Sequence, residues 1–289
     1  MNIRVIPRLD IKGPNLVKGV HFEGLRVLGK PEDFARLYYE SGADELIYMD
    51  AVASLYGRNS LLDIVKRTAM EIFIPLCVGG GLRSIDDIRT VLRAGADKVS
   101  INTAAVARPE LIREAARTFG SSTIVVSLEV VRHGDGKYEA LTDFGRERSG
   151  LDAFEWAVRA AELGAGELAV TSIDREGTGT GYDLELTRRI ADAVPIPVIA
   201  TGGAGRAEHV VDVIAQGHAD AVCMASILHY GAIDRLEYDH GHDFRAEGNT
   251  EFLKRRRSFG RIEPATIEEI KRAMMEQSIA CRPVEAMSA

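Results

Sequence analysis

Cysteine is scarce in this 289-residue chain, and its three residues, Cys77, Cys223 and Cys281, stand at no metal-ligand spacing. An odd, sparse set supplies neither a disulfide framework nor a zinc site, so small buried thiols in a reducing compartment are expected. No apolar run reaches membrane-spanning length, and the opening residues MNIRVIPRLD lack the apolar core of a secretion signal, so no membrane partner and a cytoplasmic location are expected. Low-complexity runs are absent too. Positive charge is not in excess: 36 Lys and Arg against 43 Asp and Glu leave a formal charge of −7, which argues against nucleic acid as a general partner. A phosphorylated small molecule stays open as a ligand, because local amides and a few cations suffice to hold it.

What is present is a globular composition, 46% hydrophobic and 27% charged, long enough for one large α/β barrel or two ordinary domains. The chain is organised around a repeat. An apolar run to Val78 ends in Gly79-Gly80-Gly81, an amphipathic helix follows, and a second apolar run ends at Asn102-Thr103. The same plan returns from Ile196, with Pro75 matching Pro197, Gly80 matching Gly202 and Gly81 matching Gly203, each 122 residues apart. Glycines after a strand let the backbone approach an anion with its amides unobstructed. Each copy therefore offers a phosphate cradle, with Thr103 and Ser226 as matching hydroxyl donors at strand ends. Two cradles suggest a substrate with two phosphates.

Eight strand-like runs alternate with helical ones, and duplicated halves favour a parallel sheet closed into a barrel. The reading is a single domain over 1–289, with half-barrels of about 1–122 and 123–289. Residues 15–29, carrying Lys18, His21, Glu23 and Arg26, read as a polar loop, and residues 132–148 as a short hairpin around Gly134-Asp135-Gly136. IPRLDI matches VVSLEV, so Asp10 corresponds to Glu129 at an offset of 119, each at the end of the first strand of its half. Strand ends at the C-terminal face carry the chemistry of such barrels. Asp10 and Glu129 are thus expected to face each other between the cradles, placed for general acid and base work.

The segments IPRLDIKG, VKGVHFEGLR, GADELIYMDA, VGGGLRS, GADKVSINTAAV, TSIDREGTGTGYDLELT and IATGGAG together resemble the cyclase subunit of imidazole glycerol phosphate synthase, from about Arg4 to Tyr230 and again from Thr266 to Pro283. The resemblance implies a (β/α)8 TIM barrel without a cofactor. It would take ammonia from a glutaminase partner at its N-terminal face and add it to a bisphosphorylated ribulosyl formimino carboxamide ribonucleotide, yielding imidazole glycerol phosphate and an aminoimidazole carboxamide ribonucleotide. It also implies roles for single residues. Asp10 matches the first catalytic aspartate, and Lys18 a lysine used near the substrate. Gly80, Gly81, Asn102 and Thr103 match one phosphate site; Gly177, Gly202, Gly203, Ala225 and Ser226 fall on the other. Arg4, Glu45, Lys98 and Glu167 match a ring gating ammonia entry, and each begins a strand, so four charges of alternating sign would meet at one barrel end.

Departures from the family pattern gather on the substrate side. Glu129 replaces the second catalytic aspartate, Arg8 a small residue, Val52 a threonine and Glu176 an aspartate, and residues 231–263 form an insertion between strand eight and helix eight. Within the insertion, Asp239-His240-Gly241-His242-Asp243 is a single cluster in a polar stretch, so no metal is expected and a lid or interface is preferred. The Lys254–Arg257 run reads as a solvated face or an anion contact. With the ammonia side intact, the cyclase reading leads. Its rival is a paralogue passing ammonia to another acceptor, such as a surface-polysaccharide sugar. An isomerase with the same repeated halves needs no ammonia entry, and a non-catalytic scaffold needs no paired carboxylates.

Overall fold

A computed structural model describes residues 2–51, 61–236 and 261–284 of the chain. Val52, the Asp239–Asp243 cluster and the Lys254–Arg257 run lie outside the described residues. Among the described residues twelve strands form one sheet: β1 (Arg4–Lys12), β2 (Asn15–Val20), β3 (Glu23–Gly29), β4 (Leu46–Asp50), β5 (Leu76–Gly79), β6 (Lys98–Ile101), β7 (Ile124–Arg132), β8 (Tyr138–Thr142), β9 (Glu147–Asp152), β10 (Glu167–Ser172), β11 (Val198–Thr201) and β12 (Ala221–Met224). Eight of them pair in parallel around a closed circuit, β1-β4-β5-β6-β7-β10-β11-β12, sealed where Arg4 to Pro7 pair with Ala221 to Met224. This is the expected (β/α)8 barrel.

The two-residue period of a strand sorts its side chains between inside and outside. On β1, Val5, Leu9 and Ile11 join the large outer core under the helices, while Ile6 joins Ile47, Cys77, Val125, Ile199 and Cys223 in an apolar layer inside the barrel. Arg4, Arg8 and Asp10 share the parity of Ile6. The interior is thus charged at the bottom, apolar in the middle and charged again at the mouth.

Helix boundaries follow their capping residues. Ser84 and Asp87 make a reciprocal capping box at the start of Ile85–Arg93, Asp152 caps Ala153–Glu162, and Thr266 with Glu269 boxes the start of Ile267–Glu276. Cys77, Cys223 and Cys281 are free and buried. Among the described residues no helix is long and apolar enough to cross a membrane.

One expectation needs correction. Residues 15–29 are not a loop: β2 and β3 form an antiparallel hairpin that extends β1, with Asp10 opposite Val17 and Lys18 opposite Arg26. Leu16 and Leu28 join the large outer core while Val17 and Val27 pack on each other with Leu25, and that burial outweighs the polar residues between them. The second half does the same, β8 and β9 extending β7 with Glu129 opposite Leu141. Two residues link β1 to β2 and five link β7 to β8, which accounts for the change of offset from 119 at Asp10/Glu129 to 122 beyond. Of the insertion, Gly231 to Arg235 complete a helix, Ser226–Arg235, that follows β12, and residues 237–260 lie outside the described residues.

Candidate active site at the barrel mouth

The C-terminal ends of the barrel strands bring the two duplicated glycine turns to one face. Gly80, Gly81, Gly202 and Gly203 all have left-handed backbones, with φ of 99°, 71°, 88° and 113°. Space demands glycine as well: a Cβ on Gly80 would lie 2.6 Å from the Asp50 carbonyl oxygen, and one on Gly203 2.1 Å from that of Gly181. After β6 and after β12 the backbone makes the same unusual bend, at Asn102 (φ −130°, ψ −83°) and Ala225 (φ −125°, ψ −79°). Each bend starts a helix, so Thr103 and Ser226 are first-turn residues of helices Thr103–Ala107 and Ser226–Arg235. This geometry was not legible as helix, because the five-residue turn Thr103–Ala107 is too short to show a period.

The cradles are alike in backbone and unlike in space. The first is an open cavity of about 290 Å³ bounded by Gly80, Gly81, Thr103 and Glu129, with Arg83 and Arg108 at its rim. Thr103 Oγ1 accepts from the Asp143 amide at 3.0 Å, which leaves its hydroxyl proton for a ligand. Asn102 is engaged elsewhere: its Nδ2 donates to Glu129 Oε2 and to the Leu141 carbonyl, the latter at 3.0 Å. The second cradle encloses only about 20 Å³, bounded by Gly177, Gly202, Gly203, Ala225 and Ser226 with Arg8 and Lys18. Lys18 Nζ donates to Glu176 Oε1 across it, and Glu176 Oε2 accepts the Phe22 amide at 3.2 Å. Gly177 tucks under the hairpin, where a Cβ would meet the Gly19 carbonyl oxygen at 2.8 Å.

Between the cradles lie the two carboxylates and one arginine. Arg8 Nε donates to Asp10 Oδ1 at 2.8 Å, and its Nη1 reaches Thr171 Oγ1 at 3.4 Å. Burial alone would lower the Arg8 pKa, but the neighbouring Asp10 carboxylate outweighs it and the net shift is upward, so Arg8 is a fixed cation. Glu129 is buried, and burial pushes its carboxyl from 4.5 up to about 7, against the opposing pull of Arg8 and the Asn102 amide. An acid that is half protonated near neutrality thus sits beside a carboxylate held by a permanent cation.

Phe22 and Phe144 roof this arrangement. Their rings are 4.3 Å apart, and the Arg8 guanidinium lies 5.2 Å from one ring centre and 5.8 Å from the other. Each comes from the hairpin of its own half, and both have left-handed backbones, φ 61° and 59°. They were missed in the sequence, although they too are 122 residues apart, as are Ala51 and Ile173, which pack with them.

At the opposite end, Arg4, Glu45, Lys98 and Glu167 close a ring. Glu45 Oε2 accepts from Arg4 Nη1 at 2.6 Å and from Lys98 Nζ at 2.9 Å; Glu167 is 3.1 Å from each cation. Glu45 is 1% exposed and Arg4 25%, so the ring spans the boundary between the interior and solvent. Among the described residues no group of three or more His, Cys, Asp or Glu is placed to hold a metal.

The histidine biosynthesis protein family matches residues 4–234. The chain is similar to the imidazole glycerol phosphate synthase subunit HisF of Legionella pneumophila, 58% identical over 207 residues that make up 72% of this chain and 98% of that protein. It is 50% identical to the HisF subunit of Alkaliphilus metalliredigens over 230 residues, 80% of this chain and 91% of that one.

Proposed function

Since the chain belongs to the histidine biosynthesis protein family, with HisF subunits of imidazole glycerol phosphate synthase as its relatives, we propose that it carries out the cyclase step of that synthase at the mouth lined by Asp10 and Glu129. The chain is an enzyme subunit of histidine biosynthesis. The rival expectation, a paralogue serving another ammonia acceptor, draws no support from relatives that carry the HisF name over nearly their whole length.

The substrate is a ribonucleotide with a phosphate at each end, one on the Gly80, Gly81 and Thr103 cradle and the other on the Gly202, Gly203 and Ser226 cradle. Ammonia comes from a glutaminase partner seated on the N-terminal face. It passes the Arg4, Glu45, Lys98 and Glu167 ring as one ion pair parts, then crosses the apolar layer around Ile6, Cys77 and Cys223. At the mouth its lone pair adds to the ribulosyl carbonyl carbon. Glu129 gives a proton to the carbonyl oxygen, which leaves as water when the imine forms. Asp10 takes a proton from the nitrogen as the imine forms and as the imidazole ring closes, and returns one to the leaving amine in the C–N cleavage that releases the aminoimidazole carboxamide ribonucleotide.

One observation carries this reading: at the barrel mouth a buried carboxyl on the first glycine cradle, raised to about 7, shares the site with an aspartate paired to the arginine of the second. The test is turnover of the purified protein with the bisphosphorylated substrate and saturating ammonium salt, without a partner. Asp10→Asn is expected to lower kcat by about a thousandfold while KM changes little. Near-normal kcat in that variant refutes the assignment.

A further inference from the structure

The second cradle has a cavity too small for a phosphate and a buried cation that the family pattern does not account for. That cation is Arg8. Its side chain is 6% exposed and it bounds this cavity. Nε and Nη1 have partners, but Nη2 is buried and has none among the described residues. Ser226 Oγ, on the same cavity, is likewise buried without a partner among the described residues. A buried N–H left without an acceptor is costly, more so when the group is charged, and such an atom on a ligand cavity marks the place of a ligand acceptor.

The chemistry of that acceptor follows from the rest of the cavity. Glu176 is the carboxylate on it, and Glu176 is already bonded to Lys18 and to the Phe22 amide. Asp10 is bonded to Arg8 itself. What remains unpartnered is a guanidinium N–H and a hydroxyl, beside left-handed glycines that expose backbone amides. A set made of donors, one of them on a permanent cation, takes an oxyanion.

We propose that Arg8 is a substrate-contacting residue of the second cradle, its Nη2–H donating to a phosphate oxygen that Ser226 Oγ also binds. The inference rests on reading that cradle as a phosphate site. Because the cavity of about 20 Å³ has room for roughly one water, the anion enters as Lys18 leaves Glu176 and turns to it. Arg8 then joins the anchoring end of the substrate to the reacting centre, since the same guanidinium holds Asp10. A small residue at this position offers neither contact, so an enzyme with Arg8 reads its substrate's phosphate from inside the barrel as well as from the glycine turns.

The experiment is calorimetric titration of the full chain with inorganic phosphate, in a Thr103→Asp background whose added carboxylate repels anions from the first cradle. Against that background we compare Arg8→Lys, Arg8→Met, Ser226→Ala and Glu176→Gln, each checked for cooperative melting. Arg8→Lys keeps a cation for Asp10 but has no second nitrogen, so it isolates the Nη2 contact even where Arg8→Met fails to fold. The expected result is at least tenfold weaker phosphate binding in Arg8→Lys and Ser226→Ala, and tighter binding in Glu176→Gln, which frees Lys18. Binding unchanged in Arg8→Lys but weakened in Ser226→Ala overturns the role of Arg8 and leaves the cradle standing. No phosphate bound by the background protein overturns the cradle reading, and Arg8's part with it.

Discussion

Replacing Glu129 by Gln removes one ionisable proton from the middle of the site while keeping its shape, since the Gln carbonyl can still accept from Asn102. In the folded chain burial raises the Glu129 pKa from 4.5 to about 7, so ionising it there is harder than in the unfolded chain. At about 1.4 kcal/mol per pKa unit, the shift is worth about 3 kcal/mol. The sign follows from linkage. Below 4.5 both states carry the proton and the shift costs nothing. Between 4.5 and about 7 the folded state holds a proton that the unfolded state has lost, so stability falls as pH rises. Above about 7 both are ionised and the whole cost is present. Glu129→Gln has no such proton, so its unfolding free energy minus that of the wild type should climb by about 3 kcal/mol between pH 4.5 and pH 8. Urea denaturation at half-unit pH intervals, with the slope in urea constant across the series, measures that difference. A flat difference, or one that falls with pH, would mean that Arg8 holds Glu129 ionised throughout and that Glu129 is no proton donor.

The same group should govern rate: kcat/KM for ammonia is expected to fall as pH rises through about 7, and the limb to be absent from the lower, still measurable residual rate of Glu129→Gln. Glu45→Gln leaves Arg4 and Lys98 to share Glu167; melting should show a loss of about 3 kcal/mol, and glutamine-driven turnover with a partner should drop far more than ammonium-driven turnover. Equal losses in the two assays would remove the ring from the ammonia path. Gly80→Ala must hold φ at 99° with its Cβ against the Asp50 carbonyl, and should lose about 2 kcal/mol or more of stability, read by denaturant midpoint, along with phosphate affinity at the first cradle.

Much of this architecture was readable in the chain. The repeat at 122 residues placed the glycine turns, Thr103 and Ser226 at matching ends, because a strand-turn-helix unit writes its glycines and apolar runs in fixed order. The period of two on β1 already put Arg8 and Asp10 on one face, and their ion pair is the direct result. The hairpins were not legible. Their buried residues, Leu16, Val17, Val27 and Leu28, are interleaved with Lys18, Gly19 and Arg26, and only the barrel beneath decides that this stretch is strand. The narrowing of the second cradle was equally hidden, since it depends on Lys18 meeting Glu176 across 158 positions of sequence. Neither residue announces the other.

The roof over the mouth has a consequence for traffic. Phe22 and Phe144 meet across the boundary between the two halves of the barrel, each carried by its own hairpin, with ring centres 4.3 Å apart. A contact between two aromatic rings is worth about 1 kcal/mol beyond the area it covers, little more than thermal energy. What holds the seam is chiefly the apolar area that the two rings cover together with Ala51 and Ile173, so the mouth is shut by packing shared between the halves, like two leaves of one door, rather than by a latch in either.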